Sequence, residues 1–308
     1  LGRAAGNRDP WWGQARDRSA AQVSQDAHDA EGYIPFEPVI VAQTDEFFVA
    51  DKPPFLPSTP NGRIVANTVQ ERLRRKLGEP EIVAVHRLDM MTSGLLLLSR
   101  NPETRGAYQQ LFQDCAIEKE YQALTVMPDD WAPGESREIE IFLHDNPGKP
   151  GVKVVGADDE GARPAHTTVT FLGPITADIG DCLGGTGAHN VGCSCGSCGT
   201  LMQVGHWRLQ PHTGRTHQLR ATMDWLDYPI LGEDTYGATV KAQSGNLLAG
   251  RSGRSDREGK AGERNYALAP QLRLLAVGLS FTDPITGDKR SFRTGRDLYR
   301  AEEALSQD

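Results

Sequence analysis

Residues 85–99 read VHRLDMMTSGLLLLS, and no other stretch constrains the fold as strongly. Leu88 and the four consecutive leucines Leu95 to Leu98 mark a segment that runs straight into a hydrophobic core. His86, Arg87 and Asp89 nevertheless stand at its mouth. Charged side chains are rarely fully buried without a partner, so a compensating group must come from elsewhere in the chain.

Around this segment the sequence divides into short pieces. Two strands, at residues 39–42 and 47–50, flank a Thr44-Asp45 turn, and Pro53-Pro54 stops the second. NTVQERLRRKLG predicts a helix with Asn67 as its N-cap, Val69, Leu73 and Leu77 on one face and Gly78 as terminator. Its other face carries Arg72, Arg74, Arg75 and Lys76 and reads as solvated. NPETRGAYQQLFQDC predicts a second helix, started by Asn101-Pro102. EKEYQALTV returns as a strand with Lys119, Tyr121 and Ala123 on one side. EIEIFL, HTTVTFLG and GHWRLQP are further strands, TGRTHQLRATMDWL is a turn entering a helix, and QLRLLAVGLSFTDPITGDKRSF is a closing hairpin. Strands that come in hairpins, without regular strand-helix-strand alternation, predict an α+β fold: a mixed, largely antiparallel sheet with flanking helices.

With 308 residues, 38% hydrophobic and 24% charged, the composition is that of a soluble globular protein. No apolar run approaches a membrane span and no secretory signal is visible, so a cytoplasmic location is the expectation. The formal charge of −8 speaks against a polyanionic partner only until its distribution is considered. Residues 129–160 hold nine acidic and three basic side chains, whereas residues 201–223 hold Arg208, Arg215, Arg220, three histidines and no carboxylate. A local basic cleft is compatible with the acidic total.

Asp89 alone has two readings, a carboxylate capping the turn at Thr92-Ser93-Gly94 or a nucleophile or base kept ionised by a nearby arginine. Further segments separate them. HRLDMMTSGLLLL, IEKEYQAL and TGRTHQLRATMDWLDYPILGEDTYG, in that order, resemble the RNA pseudouridine synthases of the ribosomal and transfer RNA type. The resemblance extends from DKPPFLPSTP at Asp51 to the hairpin ending at Phe292. It implies the pseudouridine synthase fold and isomerisation of uridine to pseudouridine in RNA, with Asp89 as the catalytic aspartate, Tyr121 as the stacking and proton-transfer tyrosine and Arg220 as the ionic partner of the aspartate. Under the same resemblance Arg87 is placed to fill the space left by a flipped target base, and Thr92, Lys119, Arg215, His217 and Gln218 are candidates for RNA contact. Neither a nucleotide nor any other cofactor is called for, and a monomer acting on ribosomal or transfer RNA is expected.

The expected domain organisation is an irregular arm over residues 1–35, with Trp11 and Trp12 as docking candidates, a catalytic domain over 36–300 and a tail over 301–308. Two insertions interrupt the domain, near 178–200 and 244–264. The first holds Cys182, Cys193, Cys195 and Cys198, whose single Cys-x-x-Cys pair fits a zinc knuckle loosely, so a glycine-rich surface excursion is the preferred reading. Two other functions stay open at this point. A catalytically silent RNA-binding or ribosome-assembly factor would need the cleft but not the carboxylate. A zinc-dependent hydrolase or deaminase would need a His-x-Glu segment, which is missing from the sequence.

Overall fold

A computed structural model describes residues 31, 34–61, 64–148, 150–179, 201–236 and 271–299. Eleven strands form one sheet: β1 (Val39–Gln43), β2 (Phe47–Lys52), β3 (Val83–Ala84), β4 (Ser93–Ser99), β5 (Glu118–Thr125), β6 (Ser136–Asp145), β7 (Val152–Val155), β8 (Arg163–Asp178), β9 (Leu201–Pro211), β10 (Leu274–Thr282) and β11 (Lys289–Arg293). Helices α1 (Val69–Leu77), α2 (Arg105–Gln113) and α3 (Gln218–Trp225) accompany it. The strand order is β1-β2-β4-β10-β5-β9-β8-β6-β7, with β11 paired to β10 and β3 to β4. Only the β4–β10 pair is parallel among the described strands, so the sheet is mixed and largely antiparallel as expected. None of the described helices is long and apolar enough to cross a membrane.

The leucine run explains the centre of this sheet. Strand β4 is buried along its whole length. Leu96 and Leu98 face one core cluster, with Phe48, Leu73 and Ile82, while Leu95 and Leu97 face a second, with Phe47, Tyr108 and Phe281. The parallel contact is made possible by Gly94, whose φ is +106°. A side chain there would bring its Cβ to 2.3 Å from the Ala276 carbonyl oxygen, so only glycine allows β4 and β10 to approach in this way. Gly94 pairs with Ala276, Ala276 with Tyr121, and Tyr121 with Leu209. That row across four strands carries the start of β4 toward Tyr121.

Three local expectations are corrected. The N-cap of α1 is Thr68, whose hydroxyl accepts the Glu71 N–H at 3.2 Å. Asn67 instead accepts a hydrogen bond from Arg72 Nη2 at 2.9 Å. Arg72 itself is not solvated: its guanidinium is buried and also donates to the carbonyls of Ile34 and Phe36, fastening the chain that leads into β1. Gly78 ends the helix as expected, with φ at +68°. Helix α2 begins after Thr104, and Asn101 forms a preceding turn by accepting the Glu103 N–H.

The arm lies outside the described residues except for Glu31, Ile34 and Pro35. Ile34 is buried in the core, and the Glu31 carboxylate accepts the N–H groups of Val65, Ala66 and Asn67 ahead of α1. Trp11 and Trp12, the cysteine-rich insertion from residue 180 on, the loop at 244–264 and the tail also lie outside the described residues.

Candidate active site

Asp89 sits in a turn just before β4, closed by a hydrogen bond from the Thr92 N–H to the Asp89 carbonyl at 3.1 Å. Both neighbours of the aspartate are pinned. Ser58 Oγ donates to the Leu88 carbonyl at 2.9 Å and accepts the Leu88 N–H at 3.0 Å. Lys52, wholly buried at the end of β2, donates to the carbonyls of Pro53, Leu56 and Met90 at 2.9, 2.8 and 3.0 Å. Burial lowers the Lys52 pKa to about 7, against the pull of the Asp89 charge. Lys52 and Ser58 were not singled out from the sequence, although both lie in the DKPPFLPSTP segment.

Asp89 is not as deep as the apolar run suggested, since 29% of its side chain is exposed. It lines a cleft of about 240 Å³ together with Ser58, Arg87, His217, Arg220 and Thr235. Among the described residues no hydrogen bond ties its carboxylate to the 92–94 turn. Its nearest cation is Arg220, with Nη1 at 3.6 Å, and the His217 ring lies beside it with Nε2 at 3.7 Å, both facing Oδ2. The compensating arginine therefore stands at ion-pair distance, not at hydrogen-bond distance. Tyr121, half-buried on the neighbouring row, has its phenol pKa raised by burial and further by the Asp89 charge.

The segment that supplies Arg220 is set by a left-handed residue. His217, with φ at +53°, turns the chain into α3 and places Arg220 on the first turn. Its Nδ1 meets the Tyr236 hydroxyl at 3.2 Å and its Nε2 meets Arg220 Nη1 at 3.3 Å. Burial lowers the His217 pKa, with Asp89 raising and Arg220 lowering it. Tyr236 accepts the Val152 N–H at 2.8 Å, so β7 helps fix this wall. Burial pulls Arg220 down, but its bond to Glu233 and the charges of Glu233, Asp89 and Asp234 raise it overall, so the guanidinium stays charged.

The remaining candidates separate. Arg87 is exposed and lines the cleft beside Asp89, and Arg215 is exposed with its Nε on the Pro164 carbonyl at 3.1 Å. Lys119 is partly buried and donates to the Thr213 carbonyl at 3.2 Å, and burial lowers its pKa. Gln218 and Thr92, also candidates for RNA contact, are buried. The buried Gln218 amide donates to the His166 carbonyl and Thr167 Oγ1, both at 2.9 Å, and accepts from Thr213 Oγ1 and the Arg215 N–H. That amide therefore orders the loop before α3. Thr92 is only 3% exposed and belongs to the turn. Cys182, Cys193, Cys195 and Cys198 lie outside the described residues, among which no group of three or more His, Cys, Asp or Glu is arranged to hold a metal.

His86 is structural. Its Nε2 accepts the Leu97 N–H at 3.0 Å and its ring stacks on Phe112 at 4.3 Å between centroids. Burial, reinforced by Lys119, lowers its pKa from 6.5 to about 3. Below pH 6.5 the unfolded chain takes up a proton that the folded chain resists, so this group makes stability fall with falling pH. The limiting slope is about 1.4 kcal/mol per pH unit. His86→Asn is expected to show a shallower acid slope than the wild type in urea unfolding, and equal slopes would contradict this role.

Comparison with known proteins bears directly on this geometry. Residues 46–225 match the sequence profile described as RNA pseudouridylate synthase. The chain belongs to that family. The dual-specificity RNA pseudouridine synthase RluA of Salmonella typhi is 27% identical over 269 residues, covering 86% of this chain and 96% of the relative. The RluA of Vibrio parahaemolyticus is 32% identical over 207 residues, covering 66% and 70%. Among solved structures, human RNA pseudouridylate synthase domain containing 1 aligns with a TM-score of 0.58 at 20% identity, covering 90% of this chain and 93% of that one, which shows the shared fold. The protein is an RNA pseudouridine synthase, and its cleft holds Asp89 at the mouth of β4 with Arg220 across from it.

Proposed function

We propose that this synthase isomerises specific uridines of structured ribosomal or transfer RNA with Asp89 as its reactive carboxylate. The observation that carries the reading is the placement of Asp89 Oδ2, in an open cleft, facing Arg220 and His217 without being hydrogen-bonded by the arginine. A carboxylate so placed has its charge compensated by its neighbour yet keeps lone pairs for attack or proton transfer. The reaction breaks the bond between C1′ and N1, turns the uracil while it is held, and joins C1′ to C5. The proton leaves C5 and N1 gains one, so no oxidant, phosphate donor or other co-reactant enters the balance. Asp89 serves as nucleophile toward the sugar or the base, or as the base that deprotonates the ribose. Tyr121 provides the ring on which the base stacks and a phenol held in its protonated form. Arg87, exposed at the rim, fills the stack that the flipped base vacates. The exposed guanidinium of Arg215 supplies phosphate contact.

A silent RNA-binding factor would have no use for the Asp89, Tyr121 and Arg220 set. The dual specificity in the names of the RluA relatives fits a synthase with more than one RNA target. The direct assay follows from the bond changes: RNA labelled with [5-³H]uridine in cells lacking the gene should release tritium when the purified protein is added. Absence of release from every RNA size fraction would contradict the proposal.

A further inference from the structure

Glu233 takes no part in the chemistry proposed above, yet its side chain is only 4% exposed and lies against Arg220. Its carboxylate accepts Arg220 Nε at 2.8 Å and Arg220 Nη2 in a shorter bond. Oε1 also accepts the N–H groups of Asp234, Thr235 and Tyr236 at 3.1, 2.9 and 3.3 Å. Arg220 Nη2 donates further to Asp234 Oδ1 at 2.7 Å and to Thr235 Oγ1 at 3.2 Å. One whole edge of the guanidinium is thus occupied on the side away from Asp89, and Nη1 alone faces the cleft, 3.6 Å from Asp89 Oδ2.

An arginine free to turn would seek a two-pronged bond with the nearest carboxylate. With Asp89 that bond would tie up the lone pairs that the reaction needs. We infer that Glu233 is a positioning residue that holds Arg220 at ion-pair distance, so that Asp89 is compensated in charge but left free to react. The inference rests on the reading of Asp89 as the reactive carboxylate. It accounts for three carboxylates gathered around one cation, of which Glu233 is buried, Asp234 is 56% exposed and Asp89 opens on the cleft. The backbone N–H groups on Oε1 keep Glu233 itself from moving.

The test compares Glu233→Gln, Glu233→Asp and Asp89→Asn by tritium release from [5-³H]uridine RNA, with unfolding midpoints for each. Glu233→Gln removes the charge that holds the guanidinium, and kcat should fall about 10- to 100-fold, as for a displaced catalytic group, with KM for RNA unchanged. Glu233→Asp keeps the charge on a shorter arm and should lie between Glu233→Gln and the wild type. In an Arg220→Lys background, which lacks the fork to be held, Glu233→Gln should cause no further loss in kcat. A folded Glu233→Gln protein with wild-type kcat would overturn the inference, as would equal losses in the two Glu233 variants or an undiminished loss in the lysine background. If Glu233→Gln does not fold, Glu233→Asp decides: a lowered kcat at unchanged KM supports the role, and a wild-type kcat overturns it. An active Asp89→Asn protein would instead remove the reading of Asp89 beneath it.

Discussion

Replacing Asp89 by Asn should lower turnover by at least about 1,000-fold while leaving thermal unfolding and RNA affinity close to those of the wild type. The asymmetry follows from how the aspartate is held. Its backbone is fixed by Ser58 on Leu88 and by Lys52 on Met90, neither of which touches the carboxylate. Its side chain is partly exposed, and its ionic partner keeps Glu233 and Asp234 when the Asp89 charge is gone. A carboxamide fills the same space but is neither nucleophile nor base at neutral pH. Single-turnover tritium release gives the chemical step and filter binding gives the affinity. Turnover within a fewfold of the wild type would remove Asp89 from the reaction, and a collapsed midpoint would show that the carboxylate holds the fold.

Arg220→Met is expected to fail in the other way, losing stability as well as activity. The arginine is 4% exposed and so is Glu233, and truncating one partner of a buried ion pair leaves the other without compensation. The cost of such a break is about 3–5 kcal/mol. It should appear in urea unfolding as a lowered midpoint with the m-value retained. The loss of activity has a separate origin, since Asp89 then lacks its nearest cation. A variant as stable as the wild type would mean that water or a neighbour replaces the guanidinium at Glu233. A stable and active variant would remove the pairing from the account altogether.

The elements whose signals are local were legible in the sequence. The leucine run became β4, the hairpins paired as hairpins, and Gly78 ended α1. Asp89, Tyr121 and Arg220 are singled out by the family motifs, and the structure brings Asp89 and Arg220 together in one cleft. What escaped depends on partners far along the chain. Gly94 announces a tight place in the backbone, but nothing near it says that Ala276 is the neighbour. Arg72 follows the spacing of a solvated face, yet it turns inward because carbonyls 36 and 38 residues earlier need a donor. Lys52 carries no signal of its own in the sequence, whereas three inward carbonyls make it a buried tie. Gln218 reads as an exposed helix start, whereas its amide is bonded to Arg215 in the preceding loop and to His166 and Thr167 on β8. The acidic pair in GEDTYG gives no sign that Glu233 points to Arg220 while Asp234 stays largely in solvent.

The central claim is that Asp89 converts particular uridines in cellular RNA. A transcriptome-wide chemical map of pseudouridine, made from cells with the gene deleted and complemented by wild type or by Asp89→Asn, tests it most directly. The account predicts that one or a few sites in ribosomal or transfer RNA vanish in the deletion and return with the wild type alone. Return of those sites with Asp89→Asn, or a map unchanged by the deletion under several growth conditions, would contradict it.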